Sequence, residues 1–174
     1  MKKIIYGALS IIGLIILIVA GLEMFSSYTA SASINPNAPV KTYQQITIHA
    51  TPQKVYQIMS DINHWAQWHS DVTNPRLNGP FEKGSSFDWK SGGLTIHSTL
   101  HTAIPGQKIG WSGKAFGAFA IHNWSFINEK GYTTVKVEES MEGWLVNIMK
   151  GKFQKGLEQS LQVWLKNLKV KAEQ

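Results

Sequence analysis

Trp111-Ser112-Gly113-Lys114-Ala115-Phe116-Gly117-Ala118-Phe119-Ala120-Ile121-His122-Asn123-Trp124-Ser125-Phe126 reads as two strand-like runs joined by a glycine-containing turn. Alternate side chains of a strand share one face. Trp111 therefore faces the same way as Ile109, and Ala120, His122, Trp124 and Phe126 share a face on the returning run. The result is a wall of large aromatic groups with a single titratable ring among them. Such a wall lines a pocket for an apolar ligand or fills an ordinary core, and the functional question turns on which.

On either side of this hairpin the same period continues, broken by the turn signals Asn78-Gly79-Pro80, Gly92-Gly93, Pro105-Gly106 and Lys130-Gly131. The pattern predicts strands at about 72–77, 85–90, 94–103, 108–114, 119–128 and 132–141, with an earlier one at Tyr43-Gln44-Gln45-Ile46-Thr47-Ile48. Seven strands joined mostly by hairpins make an antiparallel sheet whose apolar face needs a cover. Leu145, Met149, Phe153, Leu157, Leu161, Leu165 and Leu168 recur at three- and four-residue spacing, which predicts one long amphipathic C-terminal helix as that cover. Two short helices follow the first strand. Thr51 caps the first, with Pro52 at its opening position, and Asp61 is placed to cap the second, which carries Trp65 and Trp68 on one face. The fold class is α+β.

The N-terminus has a different character. From Ile4 to Leu22 no residue is charged, and Lys2 and Lys3 precede the run. At about 1.5 Å per residue it spans about 28 Å as a helix, close to the roughly 30 Å of a bilayer core. Two readings fit: an uncleaved single-pass transmembrane anchor, or a secretory signal peptide with Ala30-Ser31-Ala32 as its small-residue cleavage site. The run exceeds the usual apolar length of a signal peptide, which favours the anchor. Lys2 and Lys3 then stay cytoplasmic, because the next basic residue is Lys41, and the domain is extracytoplasmic at the cell membrane, or secreted or periplasmic if the segment is cleaved. The expected organisation is an anchor at 1–25, a flexible linker at 26–39 and a globular domain at 40–174.

The chain has no cysteine, which removes disulfides, thiolate metal sites and cysteine nucleophiles. Of the net charge of +6, much lies in the last helix, at Lys150, Lys152, Lys155, Lys166, Lys169 and Lys171. A solvated helix face accounts for these, and attraction to anionic lipid is the functional counterpart. Arg76 is the only arginine, so nucleic-acid binding is not expected.

The run Ile48-His49-Ala50-Thr51-Pro52-Gln53-Lys54-Val55-Tyr56, then Asp61 with Trp65 and Trp68, Trp89-Lys90-Ser91-Gly92-Gly93, Trp111-Ser112-Gly113, His122-Asn123-Trp124-Ser125-Phe126, Glu138-Glu139-Ser140 and the long final helix resemble the polyketide cyclase/dehydrase and lipid-transport (SRPBCC) group of the START-like superfamily. The resemblance covers roughly residues 43 to 172. It implies a helix-grip fold, a sheet wrapped around the last helix, and a hydrophobic ligand cavity. It implies no one reaction, because the fold serves binders, carriers, sensors and some enzymes.

Strand alternation extends the face assignment. Val135, Val137 and Met141 point inward on the last strand and carry Glu139 with them, beside His122. Either His122 is a buried ring satisfied by a backbone carbonyl while Glu139 reaches water at the cavity mouth, or the two meet and orient a polar ligand head or, as the weakest candidate, act as general acid and base. The expected ligand-binding residues are Trp89, Ile96, Trp111, His122, Trp124, Phe126, Val137, Glu139, Phe153 and Leu157. His97 and His101 are expected on the outer face, and His64 and His69 at the surface. No metal or other cofactor is expected. The leading expectation is a membrane-tethered binding domain for a hydrophobic small molecule or lipid. The alternatives are a polyketide cyclase/dehydrase-like enzyme using His122 and Glu139, and a protein-interaction or stress-sensing module whose cavity is filled by its own side chains.

Overall fold

The computed structural model describes residues 2–174, with the side chains of residues 2–5, 7 and 8 outside the description. Helix α1 spans Lys2–Met24, strand β1 Val40–Ile48 and helix α2 Pro52–Ser60, and a 3-10 turn follows at Ile62–Gln67. Strands β2 (Thr73–Asn78), β3 (Ser86–Ser91), β4 (Leu94–Ile104), β5 (Lys108–Ala115), β6 (Ala118–Glu129) and β7 (Tyr132–Glu142) come next. Helices α3 (Trp144–Ile148) and α4 (Lys150–Ala172) close the chain. All seven strands form one antiparallel sheet in the order β1-β7-β6-β5-β4-β3-β2, curling around α4.

Local chemistry sets the element boundaries. Thr51 Oγ1 accepts from the Lys54 backbone N–H at 3.3 Å, with Pro52 as the first helical residue of α2. Asp61 stands at the start of the 3-10 turn but makes no side-chain cap bond, because its carboxylate takes the Nδ1 of His64 at 2.7 Å. The C-terminal segment is two helices rather than one. The chain bends at Met149, whose carbonyl accepts from both Lys152 and Phe153. Leu145, Met149 and Phe153 still face the same cavity on both sides of the bend. Hydrophobic periodicity reports a shared face and is silent about a break in the backbone ladder.

Leu157, Leu161, Leu165 and Leu168 of α4 are buried against the sheet, each contributing about 1.5 to 3 kcal/mol of burial. Trp65, 0% exposed, lies at the centre of the packing. Its ring meets those of Phe87, Trp89, Trp111 and Trp164 at 5.1 to 5.9 Å, and its Nε1 donates to the Met59 carbonyl at 2.9 Å. His69, expected at the surface, is 1% exposed and packs 4.1 Å from the Trp164 ring. The 3-10 turn folds it inward behind Trp68, a placement that the helical spacing of the tryptophans did not carry.

Residues 25–39 contain no helix or strand, yet they are seated on the domain. Tyr28 stacks on Phe119 at 5.2 Å, the Ala32 carbonyl accepts from Asn123 Nδ2, and Asn35 bonds Ser140 and Glu142. This segment covers part of the outer face of β6 and β7. Along α1 the side chains from Leu9 to Ile18 that are large and apolar are 53 to 71% exposed. Among the described residues no helix is long and apolar enough to cross a membrane. Ile4, Ile5, Gly7 and Ala8, the first part of the expected span, have side chains outside the description.

Candidate functional site

The inward faces of β5 and β6 divide by side-chain size. Towards one end stand Ile109, Trp124 and Phe126; towards the hairpin end stand Gly113, Ala115, Ala118 and Ala120. Trp111 and His122 are paired across the strands at the boundary between them. Bulky groups fill the space under the sheet and small ones leave it open. A cavity of about 790 Å³ therefore opens between the hairpin end of the sheet and the helices α3 and α4. The aromatic wall of the sequence is core on one side and cavity lining on the other.

Of the expected ligand-binding residues, Trp89, Ile96, Trp111, His122, Trp124, Glu139, Phe153 and Leu157 line the cavity. Phe126 and Val137 do not: both are buried in the core, Phe126 with its ring edge-on to Tyr56 of α2 at 6.1 Å. Phe126 belongs to the strand end that α2 closes, and Val137, the register partner of Trp124, is core in the middle of β7. The lining also includes Ala118, Ala120, Met141, Leu145, Met149, Leu161 and Trp164, which the sequence reading did not single out as ligand contacts. The alternation that turns His122 inward turns Ala118 and Ala120 inward too. Their small size was the available signal for empty space.

The polar spot is on β6 and β7. His122 and Glu139 are register partners, and His122 Nδ1 lies 2.7 Å from Glu139 Oε2 with side chains only 11% and 4% exposed. The Trp111 ring stacks on the imidazole at 4.9 Å and 19° and fixes its plane. With Nδ1 taken up by the carboxylate, Nε2 is the remaining polar atom of a ring that lines the cavity. In the neutral ring it accepts a hydrogen bond, so it suits a hydroxyl or amide donor on a ligand.

Around this spot the wall is fixed by close contacts. Trp89 Nε1 donates to Ser98 Oγ at 3.1 Å. A Cβ on Gly113 would come within 2.9 Å of that hydroxyl, so glycine there keeps the bond and the cavity floor intact. The indole N–H groups of Trp111 and Trp124 are buried without an acceptor among the described residues. The other histidines are not part of the cavity lining. His97 Nδ1 meets Asp88 on the outer surface, which holds the Asp88 carboxyl below the usual range. His101 is half-buried over Gly110, and burial lowers its pKa from the ordinary value. Burial likewise lowers that of His69, against the opposing pull of Asp71. Among the described residues no group of three or more His, Asp or Glu is placed to hold a metal ion.

Three solved structures share this architecture at low sequence identity. A hypothetical protein from Helicobacter pylori superposes with a TM-score of 0.71 at 15% identity, covering 84% of this chain and 99% of its own. A START superfamily protein from Mycobacterium smegmatis gives 0.65 at 14%, covering 76% and 97%. The Zhui aromatase/cyclase from a Streptomyces species gives 0.68 at 12%, covering 76% and 93%. No curated protein matches the chain. The family model for polyketide cyclase / dehydrase and lipid transport matches residues 39–173, which takes in the whole sheet, both short helical segments after β1, α3 and all of α4. With the fold and its cavity in agreement, the chain belongs to the polyketide cyclase / dehydrase and lipid transport family.

Proposed function

We propose that this protein is a membrane-tethered binding domain that holds a hydrophobic small molecule or lipid between its sheet and α4. The observation that carries the reading is the cavity of about 790 Å³, walled by Trp89, Trp111, Trp124, Phe153 and Leu157 with one polar pair on its surface. Its volume lies in the range that small-molecule sites occupy, and its makeup, mostly apolar with a few polar groups, is the usual one for them. The exposed apolar side chains of α1 support a membrane anchor, with Lys2 and Lys3 on the cytoplasmic side and the domain across the membrane. Extraction of the natively purified protein followed by mass spectrometry, with binding of fluorescent acyl probes in parallel, tests the binding role. An absence of both a co-purifying apolar species and probe binding would end it.

The second reading is an enzyme of cyclase/dehydrase type, favoured by one observation, the 2.7 Å contact of His122 with Glu139 inside the cavity. There the carboxylate would hold the imidazole in one tautomer and Nε2 would take or give the proton. Replacement His122→Ala then abolishes turnover of a cyclic or polyketide-like substrate while probe binding survives. Equal turnover by the variant excludes the acid-base role. A cavity of this size does not support a module whose interior is filled by its own side chains.

A further inference from the structure

We infer that the mouth of the cavity is itself a membrane-docking surface, seated on the anionic bilayer that holds α1, so that a ligand passes between bilayer and cavity without crossing water. The inference rests on the binding and anchoring reading above and adds an orientation to it.

The first observation is where α1 ends. Glu23 Oε2 accepts from the backbone N–H of Gly117 at 3.0 Å and from Trp144 Nε1 at 3.1 Å. Gly117 is in the β5–β6 turn and Trp144 opens α3, and both elements border the cavity through Ala115, Ala118 and Leu145. The chain then leaves the mouth along β6, with Tyr28 on Phe119 and Ala32 at Asn123. A bilayer containing α1 therefore meets the domain at its mouth. The far turn at Lys130-Gly131 is a full strand away, since the twelve residues of β6 at roughly 3.3 Å each extend about 40 Å.

The second observation is what the mouth presents. Phe116 is 48% exposed, Ile148 71% and Leu94 39%, and the Trp144 ring stands edge-on to Phe116 at 5.4 Å. Isolated surface apolar residues need no explanation, but these come from three separate elements, the start of β4, the β5–β6 turn and α3, which border the cavity through Leu94, Ala115 with Ala118, and Leu145. Lys114, Lys150 and Lys152 are exposed beside them. The first turn of α4 holds no acidic residue, and lysines at that end of a helix are repelled by its dipole. Their charge does not serve α4. Aromatic and apolar groups mixed with lysine match the chemistry of a headgroup layer over acyl chains, and the positive charge matches anionic lipid.

The absence of cysteine makes the test direct. The full chain is reconstituted in vesicles of phosphatidylcholine with phosphatidylglycerol, carrying a dye at Ile148→Cys or, as control, at Asn128→Cys near the far end of β6. Acyl-chain spin-labelled lipids should remove most of the emission at position 148 and leave that at 128 unchanged. Omitting phosphatidylglycerol, or introducing Lys150→Glu with Lys152→Glu, should restore much of it. Protein that floats with the vesicles but shows equal or no quenching at the two positions overturns the docked mouth and leaves the anchor standing. Protein that does not float overturns both. Acyl-probe binding is measured on the same samples: if it persists with an undocked mouth, the orientation is wrong and the cavity reading survives, and if it is lost as well, both are wrong. Dye protection at 148 that depends on protein concentration, without lipid quenching, overturns the inference in favour of a second copy of the chain.

Discussion

His122 and Glu139 face each other across β6 and β7 at 2.7 Å, with the Trp111 ring stacked on the imidazole, in a cavity wall that is otherwise mostly apolar. Two polar groups so placed satisfy each other, and each is a liability without the other. This mutual dependence separates a polar landmark in a binding site from an incidental polar pair, because its removal has a stability cost and a binding cost that can be measured independently.

Replacement His122→Ala leaves the Glu139 carboxyl buried without its partner and should lower the unfolding free energy by at least about 1 to 3 kcal/mol. Glu139→Gln keeps the shape and an acceptor oxygen, so its cost should be smaller. A double-mutant cycle in denaturant should show a coupling of about 0.5 to 3 kcal/mol. Probes with a hydroxyl or amide head should lose affinity in both variants, and plain hydrocarbon probes should not. Additive stabilities would mean that the contact carries no energy of its own.

The two glycines in the first half of α4 separate cavity from scaffold. Gly151 and Gly156 both have open space where a Cβ would stand, and only Gly156 lines the cavity. Gly151→Ala should raise stability by about 0.5 to 1 kcal/mol through helix propensity and leave probe binding unchanged. Gly156→Phe should leave the fold intact, narrow the cavity and weaken probe binding several-fold. If both variants bind probes as the native chain does, ligands do not use this side of α4.

Gly110 tests the outer face. A Cβ there would come within 2.3 Å of His101 Cε1 and 2.7 Å of Asn123 Oδ1. Asn123 also donates to the Ala32 carbonyl and to Glu138. Gly110→Ala should therefore cost about 1 to 3 kcal/mol and loosen the segment at residues 25–39, read as faster amide exchange or proteolysis there. A variant as stable and as protected as the native chain would show that His101 moves aside freely.

The strands were legible because half-buried strands alternate and their turns carry glycine: the last six run within one residue of the expected bounds. β1 begins earlier, at Val40, since its first residues pair with Met141, Ser140 and Glu139 of β7, a partner nearly a hundred residues away that no local pattern announces. His122 beside Glu139 followed from period-2 counting on neighbouring strands. The limits of the cavity did not, because where a face stops being core depends on what packs opposite: Phe126 meets Tyr56 of α2, Val137 is buried in the core, and Ala118 and Ala120 meet open space. The bend at Met149 and the inward turn of His69 were hidden for the same reason, being set by tertiary packing around a well-placed face.

Acid should weaken the domain before its carboxylates titrate. His69 is 1% exposed, neither ring nitrogen has a partner among the described residues, and burial lowers its pKa from 6.5; His101 shifts in the same direction for the same reason. A depressed histidine pKa means that the unfolded ring binds a proton which the folded ring refuses. The stabilisation is complete above about pH 6.5 and is lost as the pH falls from there through the folded value. Asp88 and Glu173, both lowered by their hydrogen bonds, contribute stability of the same sign that is lost only below the ordinary carboxylate range near pH 4. Chemical denaturation between pH 7.5 and 5 should thus show falling stability at nearly constant m-value. His69→Phe keeps an aromatic ring against Trp164, removes one of the two histidine protonations and should make the profile visibly flatter. An unchanged slope in that variant would show that His69 stays unprotonated in both states or is not buried in solution.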